Sequence, residues 1–514
     1  MCLRRTIGWF RALQSPLDAR RAVGSSARRT WVGVERWRDP ALTATLIVLL
    51  LAALLYPYRH GHAAQVADTR LVISDFAAFY CGALVLRQGE DPYLLAPLKA
   101  CEVERVYRPG GQTYEQHGGI DTAPQAPYTL MLYEPFTALG YRVAGLLWLA
   151  LLVVATLVTA AWLGRLIGQP YWLALAFLAP GSFICFIYGQ TQPLVTLALV
   201  ASALLLKSGK PAWAAAALAL TLINPQVGLP AVLAILLWSP RGRAAAIGLC
   251  LAVAGISLAA GGWALNAEYY SRALPAQGFA EITVPFQYSL TALLSALGVA
   301  DGPALRLGSL QYAAMATAGV LLAGPLARRI GSPALVLFPP ACAVLGGLYI
   351  HLTQLQSAVP FALYLAANVP ESAAWAWLGA ALVALPWPAA RENKLLLGAD
   401  AAIVFATLSA IARRSSLGRR ALAAAAVFGL YVALGPLERR VPPIALHGLE
   451  PPSSVAAAGY DPRLAGTEEA VFARADPAQN GAKLSSLLER IPGWFGLIMI
   501  FAAGVAARTT KVEH

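Results

Sequence analysis

The chain has 514 residues, 58% of them hydrophobic and only 13% charged, with a mean hydropathy of +0.59, and that is more apolar surface than one water-soluble core can hide. The formal net charge of +13 would suit nucleic acid, but the basic residues stand between apolar runs and form no arm interleaved with aromatics. The composition excludes a soluble domain and a nucleic-acid binder, and leaves an integral membrane protein.

A span needs about 20 mostly apolar residues. Apolar runs recur at 42–56, 144–166, 172–188, 194–206, 212–223, 227–238, 244–260, 305–327, 334–349, 352–367, 373–385, 396–411, 421–434 and 494–507. Several are short enough to be paired, re-entrant or tilted, so eleven to fourteen spans are expected. Between them lie basic clusters: Arg20, Arg21, Arg28 and Arg29, then Lys207/Lys210, Arg241/Arg243, Arg328/Arg329, Arg413/Arg414/Arg419/Arg420 and Arg508/Lys511. Placing all of these in the cytoplasm lets the runs alternate without conflict and puts both termini inside. Residues 59–127, 263–303, 350–352, 386–395 and 437–492 then face the other side, the periplasm of a bacterial inner membrane. The Arg-rich N-terminus is followed by an apolar run without a small-residue cleavage pattern, so the first span is expected to remain as an anchor.

In the first outer loop, "LVISDFAAFYCGALVLRQGEDPYLL" sets Asp75 at the head of an aromatic-rich helical pattern containing Phe76, Phe79 and Tyr80. One reading makes Asp75 an N-cap, satisfying backbone N–H groups and suiting the helix dipole. The other makes it a general base: a carboxylate at a bilayer boundary beside aromatics is partly desolvated, which raises its pKa, while Ser74 takes the cap. "GEDPY" reads as a turn, with Asp91-Pro92 ending the helix. Cys81 and Cys101 share this loop, where a disulfide is chemically allowed; free thiols in apolar proteins are the alternative. The six cysteines contain no CxxC, and no GxGxxG, Walker-type loop, GxSxG or HExxH occurs. These absences remove the main supports for ATP-driven and zinc-hydrolase chemistry.

Further along, "YGQTQPL" and "LINPQVG" place Gln190, Gln192, Asn224 and Gln226 at outer helix ends, either as hairpin chemistry, which Pro193 and Pro225 favour, or as site residues. "WALNAEYYSRALPAQGFAEITVPFQYSLTALLSALG" fills the loop at 263–303, and "GGLYIHLTQLQSAVP" places His351, Thr353, Gln354 and Gln356 at an outer helix end. A histidine there can be a satisfied interface residue, but polar residues at membrane depth default to a functional role. Towards the C-terminus, "KLSSLLERIPGW" has leucines at helical spacing that would let it lie on the membrane surface. Three sizeable outer loops could roof one cavity.

Taken in order, "SDFAAFYCGALVLRQGEDPY", "APQAPYTLMLYEPFTALG", "WLALL", "YGQTQPLVTLALV", "LINPQVGLPAVLAILL", "FQYSLTALLSALG" and "IHLTQ" resemble glycosyltransferase family 87 over residues 71–355. These are multispanning GT-C enzymes similar to polyprenol-phosphate-mannose-dependent mannosyltransferases. The resemblance implies an all-α polytopic GT-C fold with about 11–14 transmembrane helices and extracytoplasmic loop helices. Its parts are a cytoplasmic basic N-terminus at 1–40, a catalytic core at 41–436, an outer loop at 437–492, and a last helix with cytoplasmic tail at 493–514. It implies that Asp75 deprotonates the acceptor hydroxyl while a lipid-phosphate-linked sugar enters from the bilayer. Tyr80, Asp91 and Tyr93 match the family's aromatic and Asp-Pro-Tyr positions, and His351 matches a histidine near the outer end of a later span. The chain departs at Asn224-Pro225, where many relatives carry Lys-Pro, at Pro127-Tyr128-Thr129 in place of a Tyr-Pro-Pro run, and at Gln287-Tyr288-Ser289-Leu290 in place of an Asn-containing version.

The residues themselves agree with that implication. With no nucleotide-metal DxD, a lipid monophosphate leaving group held by Arg, His or helix N-termini is expected, and no metal or cofactor is needed. Arg87, Arg272 and Arg306 are the outer-face cations. The expected substrate-binding set is Tyr80, Arg87, Asp91, Tyr93, Gln190, Asn224, Arg272, Gln287, His351 and Gln354. The expected partners are a polyprenyl-phosphate sugar donor, a lipid or glycan acceptor and membrane lipids. The rival classes are a transporter or flippase, or a polymerase or ligase, of lipid-linked glycans, and a non-catalytic assembly protein. Transporters favour inverted repeats and mid-bilayer charge, and neither is visible here.

Overall fold

The computed structural model describes residues 73–107, 120, 122–282, 287–347, 349–385, 387 and 484–509. The expected runs at 42–56, 396–411 and 421–434, and most of the loop at 437–492, lie outside them.

Among the described residues the secondary structure is helical, apart from isolated bridge residues, of which Gln287 and His351 pair antiparallel. Three helices come first: α1 (Ser74–Arg87), α2 (Leu95–Cys101, continued by a π-helical turn to Tyr107) and α3 (Pro127–Thr137). A serpentine of apolar helices follows: α4 (Tyr141–Ile167), α5 (Tyr171–Tyr188), α6 (Gln192–Lys207), α7 (Pro211–Ala217, tightening to 3₁₀ over Leu218–Ile223) and α8 (Pro225–Trp238). Then α9 (Pro240–Glu268) runs through a π-helical turn into α10 (Leu274–Ala280), and α11 (Leu290–Ala296) is short. The bundle closes with α12 (Asp301–Ile330), α13 (Ala334–Ala343), a 3₁₀ turn (Leu352–Ala358) leading into α14 (Val359–Asn368), α15 (Ala373–Ala384) and α16 (Leu484–Thr509).

Among the described residues, five helical stretches are long and apolar enough to cross a membrane: Tyr141–Ile167, Tyr171–Tyr188, Pro240–Gly278, Asp301–Ile330 and Arg490–Arg508. Other apolar runs are shorter helices, because prolines divide them: Pro193, Pro211 and Pro225 stand in the first turns of α6, α7 and α8, where a missing N–H costs nothing. Two expectations change. The run at 334–349 stops being helical after Ala343 and exits through Gly346 and Gly347. The leucine-rich "KLSSLLERIPGW" is not a separate surface helix, since Leu484–Trp494 forms the opening turns of α16.

In lipid there is little hydrophobic gain from helix pairing, so close approach through small residues does the work. Between α15 and α16 this is reciprocal: a Cβ on Gly379 would lie 2.9 Å from the Gly496 carbonyl oxygen, and one on Gly496 would lie 2.9 Å from that of Gly379. Side chains such as Leu146, Leu251 and Leu310 are 59–68% exposed, as lipid-facing residues must be. Exposed tryptophans mark both ends, with Trp213 and Trp375 at one and Trp263 at the other.

The two ends differ in chemistry. At the basic end Lys207 donates to the Leu166 carbonyl at 3.0 Å, Arg243 to that of Leu236 at 2.9 Å, and the Arg328 guanidinium lies 5.7 Å over the Trp238 ring. At the opposite end the helices begin or stop with Gln190, Gln192, Asn224 and His351.

Candidate active site

The first helix is seated before it starts. Ile73 is extended and its N–H donates to the Tyr141 hydroxyl at 2.9 Å, while that hydroxyl donates to the Ile73 carbonyl at 3.1 Å. From there α1 runs into an aromatic cluster: Phe76 through Cys81 are buried, and Phe76 stacks on Trp148 at 5.5 Å. The cap position belongs to Ile73, which makes no side-chain cap bond. Asp75 is therefore not at the cap position of the helix. Asp75 stands in its first turn, where the dipole still favours the charge, half-buried, with Oδ2 accepting from Gln190 Nε2. Its charge reaches Tyr133, whose phenol is raised well above its ordinary pKa by burial and then by Asp75.

Gln190 is aimed by Gly189, which ends α5 in the left-handed region (φ 76°) and whose carbonyl accepts from Trp148 Nε1 at 2.8 Å. Two residues on, Gln192 opens α6 and points the other way. Its Nε2 donates to Ser357 at 2.6 Å, and its Oε1 accepts from Asn224 at 3.4 Å. Asn224 accepts from Gln354 Nε2 at 3.4 Å, and Gln354 Oε1 accepts from the His351 backbone N–H at 3.1 Å. The polar helix ends expected on one face thus meet in one network.

That network ends on a carboxylate absent from the expected set. Glu281 Oε1 lies 3.3 Å from His351 Nε2 and accepts from Gln277 at 2.8 Å, and Oε2 accepts from Gln287 at 2.5 Å. Gln277 in turn accepts from Thr122 at 3.0 Å. Burial alone would push the Glu281 carboxyl up, but His351 and the bonds from Gln277 and Gln287 outweigh it, so it is held below its ordinary value. The sequence signal was a single acid in the otherwise uncharged "LPAQGFAEITVPFQYSL".

The remaining expected residues fall into two groups. Tyr80 donates to the Leu139 carbonyl at 2.9 Å, and Arg87 is exposed at the end of α1. Asp91 closes an Asx turn, accepting from the Tyr93 N–H at 2.8 Å, as the turn reading of "GEDPY" requires. Tyr93 donates to the Gln125 carbonyl at 2.8 Å and packs on Tyr269 at 5.6 Å; burial and then Asp91 hold its phenol far above the usual range. Tyr93, Thr122, Glu268, Arg272 and Gln277 line a small open cleft, where Arg272 pairs with Glu268 at 3.6 Å. Cys81 and Cys101 are bonded, tying α2 to α1 (Cα–Cα 5.6 Å).

Residues 126–352 match the glycosyltransferase family 87 model. No curated protein and no solved structure matches the chain. The chain is thus an all-α polytopic membrane protein with a stretch similar to glycosyltransferase family 87, and that stretch holds Gln190, Asn224, Arg272, Glu281, Gln287 and His351.

Proposed function

We propose that this chain transfers a sugar, mannose or another hexose or pentose, from a polyprenyl-phosphate donor to a hydroxyl of a lipid or glycan acceptor, at the periplasmic face of the bacterial inner membrane. Asp75 takes the proton of the acceptor hydroxyl as its oxygen attacks the anomeric carbon from the face opposite the phosphate. The bond from that carbon to the phosphate oxygen breaks, its electron pair leaves with the lipid phosphate, and one displacement inverts the centre. His351, with Arg272 or Arg87, receives the phosphate charge, and the Asp91-Pro92-Tyr93 turn shapes the acceptor side.

One observation carries this reading: Asp75, in the first turn of α1, is held through Gln190, a residue of the stretch that matches the glycosyltransferase family 87 model. The disulfide between Cys81 and Cys101 supports the orientation, because such bonds persist in oxidising compartments. The test is Asp75→Asn. The amide keeps the side chain's shape and an oxygen for Gln190, so fold and donor binding should persist. Transfer from radiolabelled polyprenyl-phosphate sugars should fall by about 10²–10⁴. Transfer near the wild-type rate would remove Asp75 from the chemistry.

A further inference from the structure

We propose that Tyr133 is a positioning residue for Asp75: its buried hydroxyl donates towards the carboxylate through one water and holds it in the charged form that can take a proton. This rests on the reading of Asp75 as the base.

Tyr133 stands on α3 and is 1% exposed. Its ring packs 5.0 Å from that of Phe79, 5.0 Å from that of Trp148 and 6.4 Å from that of Phe76. Each of these belongs to the frame around Asp75. Phe76 follows Asp75 in the chain, and Phe79 lies one helical turn on, on the face of α1 that carries the carboxylate. Trp148 donates to the Gly189 carbonyl, next to Gln190, which in turn donates to Asp75. The Tyr133 ring therefore lies against both the helix that bears Asp75 and the indole that ties down its anchor.

What packing leaves unexplained is the oxygen. The Tyr133 hydroxyl is buried and makes no hydrogen bond to the protein, although a phenylalanine would fill the same apolar space. The two neighbouring tyrosines behave otherwise: Tyr80 donates to the Leu139 carbonyl, and Tyr141 exchanges bonds with the Ile73 backbone. A buried polar group without a protein partner calls for a water or a role in the chemistry, and Asp75 is near enough for its charge to act on this phenol. A water that accepts from Tyr133 and donates to Asp75 joins two groups that do not touch.

The charge of Asp75 acts on Tyr133 from α3 and on the buried Cys185 thiol from α5. Tyr141 from α4 is taken up by Ile73, while Arg87 on α1 and Arg105 on the π-helical turn act on Tyr80. Burial and then Asp75 keep the Tyr133 phenol protonated, so it remains a donor wherever Asp75 is charged. A donor aimed at a carboxylate favours its charged form and opposes the desolvation that aromatic walls impose.

The test reads Asp75 directly. Infrared difference spectra of the full chain, titrated with pH, report the protonated carboxyl band of Asp75, assigned by its loss in Asp75→Asn. Tyr133→Phe removes no hydrogen bond to the protein and should raise the midpoint by about one unit, a tenfold change in the charged fraction on the acid side. Ortho-fluorotyrosine in place of Tyr133 keeps the ring and strengthens the donor. It should lower the midpoint, and it tests the proposal even where Tyr133→Phe does not fold. The acid limb of the transfer rate, measured with radiolabelled polyprenyl-phosphate sugars, should move with the band in both proteins. A midpoint unchanged in both, or lowered in Tyr133→Phe, would overturn the proposal. If the band moves as expected but transfer by the wild-type protein does not follow Asp75 ionisation, the reading of Asp75 as base fails and the hold of Tyr133 on it stands.

Discussion

Gly189→Ala tests how Asp75 is placed. Gly189 sits at φ 76°, and a Cβ there would lie 2.7 Å from Ile73 Cγ2, 2.8 Å from Phe76 Cβ and 3.2 Å from the Phe76 nitrogen. None of these can yield easily. Ile73 is fixed at both backbone groups by Tyr141, Phe76 is stacked on Trp148, and Trp148 is bonded to the Gly189 carbonyl. The left-handed conformation costs a non-glycine residue about 1–2 kcal/mol, and overpacking adds about 1–3 kcal/mol, for a total of roughly 2–5 kcal/mol. Gly168→Ala is the control: it ends α4 at φ 67° with nothing near its Cβ, so it incurs only the conformational part. Denaturant unfolding of the detergent-solubilised protein should separate the two variants by about 1–3 kcal/mol. Sugar transfer should be lost in Gly189→Ala, where the head of α1 must shift away from Gln190, and kept in Gly168→Ala. Equal stability losses, or full transfer in Gly189→Ala, would refute the close packing of Gly189 under α1 as the device that sets Asp75.

Cys81→Ser or Cys101→Ser should destabilise the outer-loop helices by about 3 kcal/mol, the entropy of closing a loop of this length; mass spectrometry of the non-reduced protein should show the cross-link, and free thiols at both positions would refute it. Membrane-impermeant maleimide should label Glu90→Cys in intact cells but Arg241→Cys only after lysis, because these positions lie at the polar and basic ends respectively; the reverse pattern would invert the orientation.

What could be read from the sequence was whatever repeats or clusters. Membrane class, helical architecture and the gathering of polar helix ends on one face all follow from apolar run lengths and the spacing of basic residues, and the hydrogen bonds that Gln354 donates to Asn224 and Asn224 to Gln192 realise that face. Glu281 was harder to see. Nothing local distinguishes one acid in a loop, and its meaning comes from His351, seventy residues later in the chain. The cap position was hard to place for a similar reason: Asp is a usual cap, but the helix starts directly after Ile73, whose backbone Tyr141 satisfies, and Asp75 falls in the first turn. The extent of α16 was missed because an amphipathic opening looks alike whether it lies on a membrane or continues into a span.

The four residues Gly189–Gln192 carry a consequence for the chemistry. Gln190 turns to Asp75 on α1 and Gln192 turns to Ser357 and Asn224, whose partners lead through Gln354 to His351. One short, glycine-locked turn therefore holds the proposed base on one side and the proposed phosphate group on the other. An inverting displacement needs that arrangement, since attacking and leaving oxygens lie on opposite sides of one carbon and an error of about 1 Å in their separation can cost on the order of 10² in rate. The base sits on a helix outside the matched domain and the histidine inside it. Register between them must be set by contacts that cross that boundary, and the Gln190 to Asp75 bond is one of these.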